Sequence, residues 1–273
     1  MNHDSQQVRR IAIAYLFPSS IRLERKDNLA FYDCVTGEGI ELPEMQQLPE
    51  ELVMLNRRSP DYLCEVRVGL LPVPMQTPGS AASGLFRFLV AESGSHKAVK
   101  LYEDMADTCF AGFEHVWGSR HGFVQMVEVA ITSTMSFDGA GGARAFVTER
   151  LLRNPEALRN HLGRDITEFA IKLGSGMLLV GDPSVPTPMS NAQLDLAIET
   201  VPQDPRLLVA NLTAKWHGVQ IPVSGIPEQV RASIPGKQVL EMNRELRQPS
   251  EYVREAYAYL TKQVVAFLAD VAR

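Results

Sequence analysis

The stretch from Phe123 to Phe137, FVQMVEVAITSTMSF, alternates between apolar and polar side chains. Val127, Val129, Ile131 and Met135 share one parity, and threonines and serine occupy the other. Because successive side chains of a strand point to opposite faces, this alternation predicts one long β-strand with a single core-facing side.

The segments that precede this strand predict a pair of strands and a helix. Leu63–Leu70 and Leu85–Val90 alternate with period two, and the loop-forming segment 72–84 separates them, so we expect them to pair antiparallel. From Lys97 to Trp117 the spacing changes to three and four, which predicts an amphipathic helix. Its predicted apolar face consists of Leu101, Met105, Cys109, Phe113 and Val116.

The segments that follow the strand predict two short helices, further strands and a closing helix. The helices are predicted at Arg144–Arg153 and Pro155–Leu162, with Pro155 as the first residue of the second. Ser250 is predicted to cap the closing helix. Strands are predicted at Ile166–Leu173, Met177–Val180, Leu194–Val201 and Leu207–Trp216.

This arrangement predicts an α+β fold. We expect a largely antiparallel sheet with a long central amphipathic helix, a short helix pair and a C-terminal helix packed on the sheet. We expect residues 1–273 to form a single domain. Two intimately packed sub-domains, about 1–137 and 138–273, are the alternative.

Composition limits the class of protein. The 273 residues are 45% hydrophobic and 22% charged, with a net charge of −5, which is typical of a globular chain and disfavours a nucleic-acid-binding surface over the whole molecule. Cys34, Cys64 and Cys109 are widely spaced, so we interpret them as reduced thiols of a cytoplasmic protein. The apolar run Ile11–Phe17 is too short to span a bilayer.

The corner SFDGAGGARAF, residues 136–146, is the first candidate site. Amides of a glycine-rich turn can converge on a phosphate, and arginine can clamp it. The candidate anion-binding residues are Gly139, Gly141, Gly142, Arg144, Arg150 and Arg153. The corner matches neither the P-loop nor the dinucleotide-binding pattern, so backbone geometry alone is the competing explanation for its glycines.

The closing helix is the second candidate site. Apolar residues at alternating spacings of four and three form a seam that fits either a partner or the protein's own sheet. The candidate interface residues are Val253, Tyr257, Leu260, Val264 and Phe267. Trp117 and Trp216 each end an element and are further anchors if they are exposed.

The predicted order of elements resembles that of a sporadically distributed family of bacterial proteins of similar length, a resemblance that implies no activity. We expect a non-catalytic cytoplasmic binding or adaptor protein of bacterial or phage origin, in a mobile-element or defence module. Its partner would be another protein or a second copy. The alternative is an enzyme or sensor that acts on a phosphorylated ligand, a nucleotide or RNA through the Gly139–Arg144 loop. No motif identifies a cofactor, a catalytic residue or a metal site.

Overall fold

The fold is built on one antiparallel sheet of nine strands. The computed structural model describes residues 6–17, 21–59, 61–71, 85–96, 99–118, 124–137, 142–151, 170–175, 192–220 and 247–264. The strands are β1 (Gln7–Phe17), β2 (Glu44–Gln47), β3 (Glu51–Ser59), β4 (Tyr62–Leu71), β5 (Leu85–His96), β6 (Val124–Ser136), β7 (Ala170–Ser175), β8 (Ala192–Val201) and β9 (Asp204–Gln220). Their order across the sheet is β2-β3-β4-β5-β1-β6-β9-β8-β7.

Four α-helices accompany the sheet in the described part of the chain. They are α1 (Arg25–Gly37), α2 (Lys100–Trp117), α3 (Gly142–Phe146) and α4 (Pro249–Tyr259). A π-helical turn continues α3 over Val147–Leu151, and another continues α4 over Leu260–Val264. The predicted α+β class with a largely antiparallel sheet is confirmed.

Helices α1, α2 and α4 lie on the same face of the sheet. Tyr15 of β1 stacks on Phe110 of α2 at 4.3 Å between ring centroids, and it meets Tyr252 of α4 edge-on at 6.3 Å. Phe31 of α1 contacts Phe88, which is paired with Tyr15 across β1 and β5. Paired residues of a sheet share a face, so all three helices cover what we call the helix face. We call the opposite side the open face.

The two halves of the sheet repeat one arrangement. In each half a strand, a helical segment, antiparallel strands and a second helix follow one another, and β1 and β6 meet in the centre with Ala12 opposite Ala130. A two-fold rotation about that pair places β5 on β9, β4 on β8 and β3 on β7. The register agrees with this rotation, since Ile13 pairs with Val90 in the first half and Ile131 pairs with Leu212 in the second.

The predictions for β4, β5, β6, β8 and β9 agree closely with the structure, whereas β2 and β3 were not predicted. Strand β6 lies within the predicted stretch Phe123–Phe137, and Val127, Val129, Ile131 and Met135 are all buried on the helix face. Strands β4 and β5 pair antiparallel as expected. The strand predicted at Met177–Val180 lies outside the described residues.

Two details of the helices differ from the predictions. Leu101, expected on the apolar face of α2, is 85% exposed, because the buried face is centred on Tyr102, Ala106 and Phe113 instead. Ser250 does not cap α4, which begins one residue earlier at Pro249. The backbone N–H of Ser250 instead donates to Asp107 Oδ1 of α2 at 2.7 Å.

The predicted helix pair after β6 is described only in its first part. Residues 142–151 are helical, first as α3 and then as the π-helical turn. The segment Pro155–Leu162 lies outside the described residues. Whether the chain divides into sub-domains near residue 137 stays a prediction.

Candidate binding face

The open face carries two groups of ion-paired side chains. The first group lies on β1, β3, β4 and β5, and it is built around Glu65 and Arg67 of β4. Arg67 Nε donates to Glu65 Oε2 at 3.0 Å, and Arg67 Nη1 lies 3.5 Å from Glu51 Oε2. Arg87 approaches the other oxygen of Glu51 at 3.7 Å, and Arg10 lies 3.8 Å from Glu65 Oε1. We call these five residues the arginine network.

Strand register brings the arginine network together. Arg67 of β4 pairs with Val53 of β3 and with Leu89 of β5, so its side chain lies between the neighbouring rows of Glu51 and Glu65. Partial burial lowers the pKa of Arg67, but hydrogen bonds and charge from Glu65 and Glu51 outweigh that effect and raise the pKa overall. Arg67 therefore keeps its positive charge.

The second group lies on the other half of the open face. Lys215 of β9 stands between two carboxylates, with its Nζ 3.3 Å from Asp195 Oδ2 of β8 and 3.9 Å from Glu128 Oε2 of β6. We call these three residues the lysine bridge. Next to it, Thr132 Oγ1 donates to Asn211 Oδ1 at 2.8 Å. This part of the face combines two carboxylates with one ammonium group.

Small side chains separate the two charged groups. Ala12, Ala14, Ala91 and Ala130 occupy adjacent positions of β1, β5 and β6 on the open face. Ala12, Ala14 and Ala91 are themselves buried and Ala130 is half-buried, so the longer side chains around them form the surface that a partner meets between the charged groups. Surface ion pairs stabilise a fold by only about 0–1 kcal/mol each, so holding side chains in position is a better account of this array than stability.

Of the glycine-rich corner, the structure describes Gly142, Arg144 and the backbone of Arg150. Gly142 has φ +58°, and a Cβ built there would lie 2.6 Å from the Pro205 carbonyl oxygen. Close packing against β9 and a left-handed backbone therefore both require glycine. Arg144 is half-buried in α3. Gly139, Gly141 and Arg153 lie outside the described residues, and anion binding stays a prediction.

Most residues of the C-terminal seam lie in the protein's own core. Val253 and Leu260 are fully buried, Val264 is nearly so, and Tyr257 is partly buried against the same core. Phe267 lies outside the described residues. Ion pairing supports this docking, since Arg254 Nε lies 3.4 Å from the buried Glu103 of α2. Trp117 and Trp216 are buried as well, so neither is a surface anchor.

Reactive groups in the described residues are mostly buried or paired. Burial raises the pKa of Cys64 to about 12, helped by the carboxylate of Glu92, and burial also raises the pKa of Cys109. Both thiols are therefore protonated at neutral pH, which makes them poor nucleophiles. Within the described ranges no group of three or more His, Cys, Asp or Glu side chains could hold a metal ion. None of the described helices is long and apolar enough to cross a membrane.

Sequence patterns located β4, β5, β6, β8 and β9 but not β3, and they did not identify the charged groups of the open face. The predicted strands contain Glu65, Arg67 and Arg87 at positions that alternate with the core-facing positions. Which of them become neighbours depends on the pairing of β4 with β5 and β3, and alternation within one strand does not encode that pairing. The signal available for these charged groups was the set of polar residues at every second position of each predicted strand.

No protein-family model matches the chain, and no curated protein matches it. Among solved structures, the chain is similar to the di-domain ARO/CYC BexL from the BE-7585A biosynthetic pathway. The sequence identity is 11%, the alignment covers 97% of this chain and 99% of that chain, and the TM-score is 0.22. A likeness at that TM-score carries no argument about fold or function.

Proposed function

We propose that the chain is a non-catalytic cytoplasmic binding protein, an adaptor that holds another protein against the open face of its sheet. The observation that carries this proposal is the segregation of the two faces. Helices α1, α2 and α4 cover one face, whereas the other presents the arginine network and the lysine bridge on either side of small side chains.

The charges on the open face indicate the chemistry of the partner. The arginine network places three arginines, Arg10, Arg67 and Arg87, around two carboxylates, Glu51 and Glu65, within an acidic chain. The lysine bridge has the opposite balance. A matching partner therefore presents an acidic patch to the first half of the face and a basic patch to the second. Such complementarity gives specificity and faster association.

Existing ion pairs favour this role on entropic grounds. Binding requires long side chains to be immobilised, at about 0.5–1.5 kcal/mol for each one. Arg67 is already held by Glu65 and Glu51, and Lys215 by Asp195 and Glu128. Part of that ordering is therefore complete before the partner arrives.

A steric block at the centre of the open face tests the proposal. Ala130→Arg introduces a long side chain between the charged groups and removes none of the side chains that form their ion pairs. Leu101→Glu on the helix side is the matched control, since Leu101 is 85% exposed on α2. Each form would be used to capture proteins from cells, and the captured partner would then be purified and its affinity measured by calorimetry.

We expect Ala130→Arg to weaken binding of the purified partner at least tenfold and Leu101→Glu to leave it unchanged. Circular dichroism would establish that both variants are folded. Equal affinity of wild type and Ala130→Arg for that partner would contradict the proposal, as would loss of binding in Leu101→Glu alone.

A further inference from the structure

The two halves of the sheet differ sharply in the side chains that face the helices. In the first half one row across the sheet consists of Val68, Phe88 and Tyr15, paired in that order. The two-fold rotation about Ala12 and Ala130 places this row on Ile198, Ala210 and Ser133. A phenylalanine and a tyrosine of the first half thus correspond to an alanine and a serine of the second.

The neighbouring row shows the same reduction in aromatic side chains from the first half to the second. Phe86 and Phe17 are paired in the first half, and Leu208 and Met135 are paired at the equivalent positions of the second. In the first half these rings pack against further rings from the helices, with Phe88 at 4.8 Å and Phe17 at 5.3 Å from Phe113.

Among the described helices over the second half, Tyr252 is the fully buried aromatic side chain, and it contacts Trp216, which is paired with Val127, six residues along β6 from Ser133. Their other fully buried apolar side chains are small or aliphatic: Ala143 and Val147 after β6, and Val253, Ala256, Leu260 and Val264 at the end of the chain. Phe146, Tyr257 and Tyr259 are partly buried against the core. Helix α3 packs on β9, and α4 packs on β6 and β9. Protein interiors are close-packed, so the volume that the rings fill in the first half is taken up by other groups in the second.

Two buried polar atoms lie in the same region without a partner. Ser133 Oγ and Gln6 Nε2 are both shielded from solvent, and neither makes a hydrogen bond in the described structure. Ser133 is opposite Val8 across β1 and β6. Gln6 precedes Val8 by two residues, and alternation along the chain therefore directs both to the helix face. Buried polar groups are normally hydrogen-bonded, so both atoms lack an expected partner.

We infer that the helix face of the second half contains a binding site for a small, uncharged and mostly apolar molecule that carries a carbonyl or hydroxyl oxygen. Its apolar walls include Ile198, Leu208 and Ala210. The amide of Gln6 donates a hydrogen bond to the ligand oxygen, and the hydroxyl of Ser133 donates or accepts a second one. The described side chains of these two rows are uncharged, which disfavours a charged ligand. This site is independent of the open face, on the other side of the sheet.

Nile red, a neutral apolar dye that carries a carbonyl oxygen, is the probe ligand for this site. The inference is tested by comparing dye binding to the wild type with dye binding to a variant whose site is filled by a larger side chain. Titration into the folded wild-type chain should give a blue-shifted emission that saturates at about one dye per chain. Ala210→Phe, which restores the ring that Phe88 supplies in the first half, should weaken dye binding at least tenfold. Ala130→Phe adds the same ring to the open face and should leave dye binding unchanged.

Removal of the polar atom provides a second measurement. Ser133→Ala should weaken dye binding severalfold without a change in the amount of folded protein. If Ala210→Phe does not fold, Ala210→Leu replaces it in the same comparison. The inference is overturned if the wild type shows no saturable dye binding, or if the filling variant binds dye as tightly as wild type. Equal losses in Ala210→Phe and Ala130→Phe would also overturn it. None of these outcomes depends on the partner of the open face.

Discussion

Gly142 shows how a single residue joins the corner after β6 to the edge of β9. Its φ of +58° lies in the region that side chains with a Cβ rarely adopt, and the backbone of Pro205 and Arg206 leaves no room for a methyl group. The glycine is therefore required by the fold whether or not the corner also binds an anion.

We expect Gly142→Ala to lower the free energy of unfolding by roughly 1–3 kcal/mol, because it combines backbone strain with a close contact. Chemical denaturation monitored by circular dichroism would measure the change. Gly37→Ala is the matched control, since Gly37 ends α1 with nothing within 4 Å of the added carbon. That control should be neutral or stabilising by roughly 0.4–1 kcal/mol. Similar effects of the two substitutions would refute the packing role of Gly142.

At the scale of elements, periodicity predicted most strands and helices whose buried face is apolar, but it missed β3, where Leu52–Leu55 form an unbroken apolar run. Residues of β6 and α2 alternate or repeat clearly, and both elements were located within a few residues. Helix α1 was not predicted, because its buried face includes Asp27 and Asn28 beside Phe31 and Val35. Strand β2 was not predicted either, since all four of its residues are exposed at the sheet edge.

Helix α4 could be located from its seam, but the seam did not say what it packs against. The answer depends on long-range contacts, such as Tyr252 with Tyr15 and with Trp216 at 5.0 Å between ring centroids. No local pattern in residues 249–264 distinguishes these contacts from contacts with a second chain.

The Leu260 side chain tests the role of that seam. We expect Leu260→Ala to lower the free energy of unfolding by about 2–5 kcal/mol, because it leaves a cavity under the last turn of the helical segment. Thermal or denaturant unfolding would measure the loss. Lys262→Ala is an exposed control in the same turn and should change stability little. A folded Leu260→Ala of wild-type stability and lower oligomeric state would instead support an intermolecular seam.

At the scale of the whole molecule, the buried tyrosines set the response to high pH. Burial raises the pKa of Tyr15, Tyr102 and Tyr252. Burial also raises the pKa of Tyr62, and the hydrogen bond that its hydroxyl donates to Glu92 Oε1 at 2.7 Å adds to this effect. In the unfolded chain the same phenols ionise near pH 10.

The direction of the resulting pH dependence follows from the number of protons that the folded and the unfolded chain each bind. Above about pH 10 the unfolded chain releases phenolic protons that the folded chain retains, so the free energy of unfolding falls as pH rises. A spectrophotometric titration should show these phenols ionising only together with loss of secondary structure. Reversible ionisation of all seven tyrosines near pH 10 with an unchanged circular dichroism spectrum would contradict the predicted burial.

The two halves of the sheet repeat one arrangement of strands and helices, and the sequence did not reveal this repeat. Some repeated positions agree in polarity but not in identity, as with Val90 and Leu212 or Glu65 and Asp195, whereas Arg67 and Ala197 agree in neither. The equivalent positions of the two halves can be matched only from the register of the complete sheet. The same register creates the arginine network from β1, β3, β4 and β5. It also reveals that rows of the helix face that carry aromatic rings in the first half carry smaller side chains in the second.

The central claim is that the open face holds the partner, and carboxylate footprinting of the reconstituted complex tests it most directly. Carbodiimide labelling would compare Asp195 of the lysine bridge with Asp104 of α2. The two are matched, since each pairs with a lysine and their side chains are 44% and 59% exposed. We predict that partner binding protects Asp195 severalfold and leaves Asp104 unchanged. Protection of Asp104 with full reactivity of Asp195 would show that the partner lies on the helices and would contradict the account.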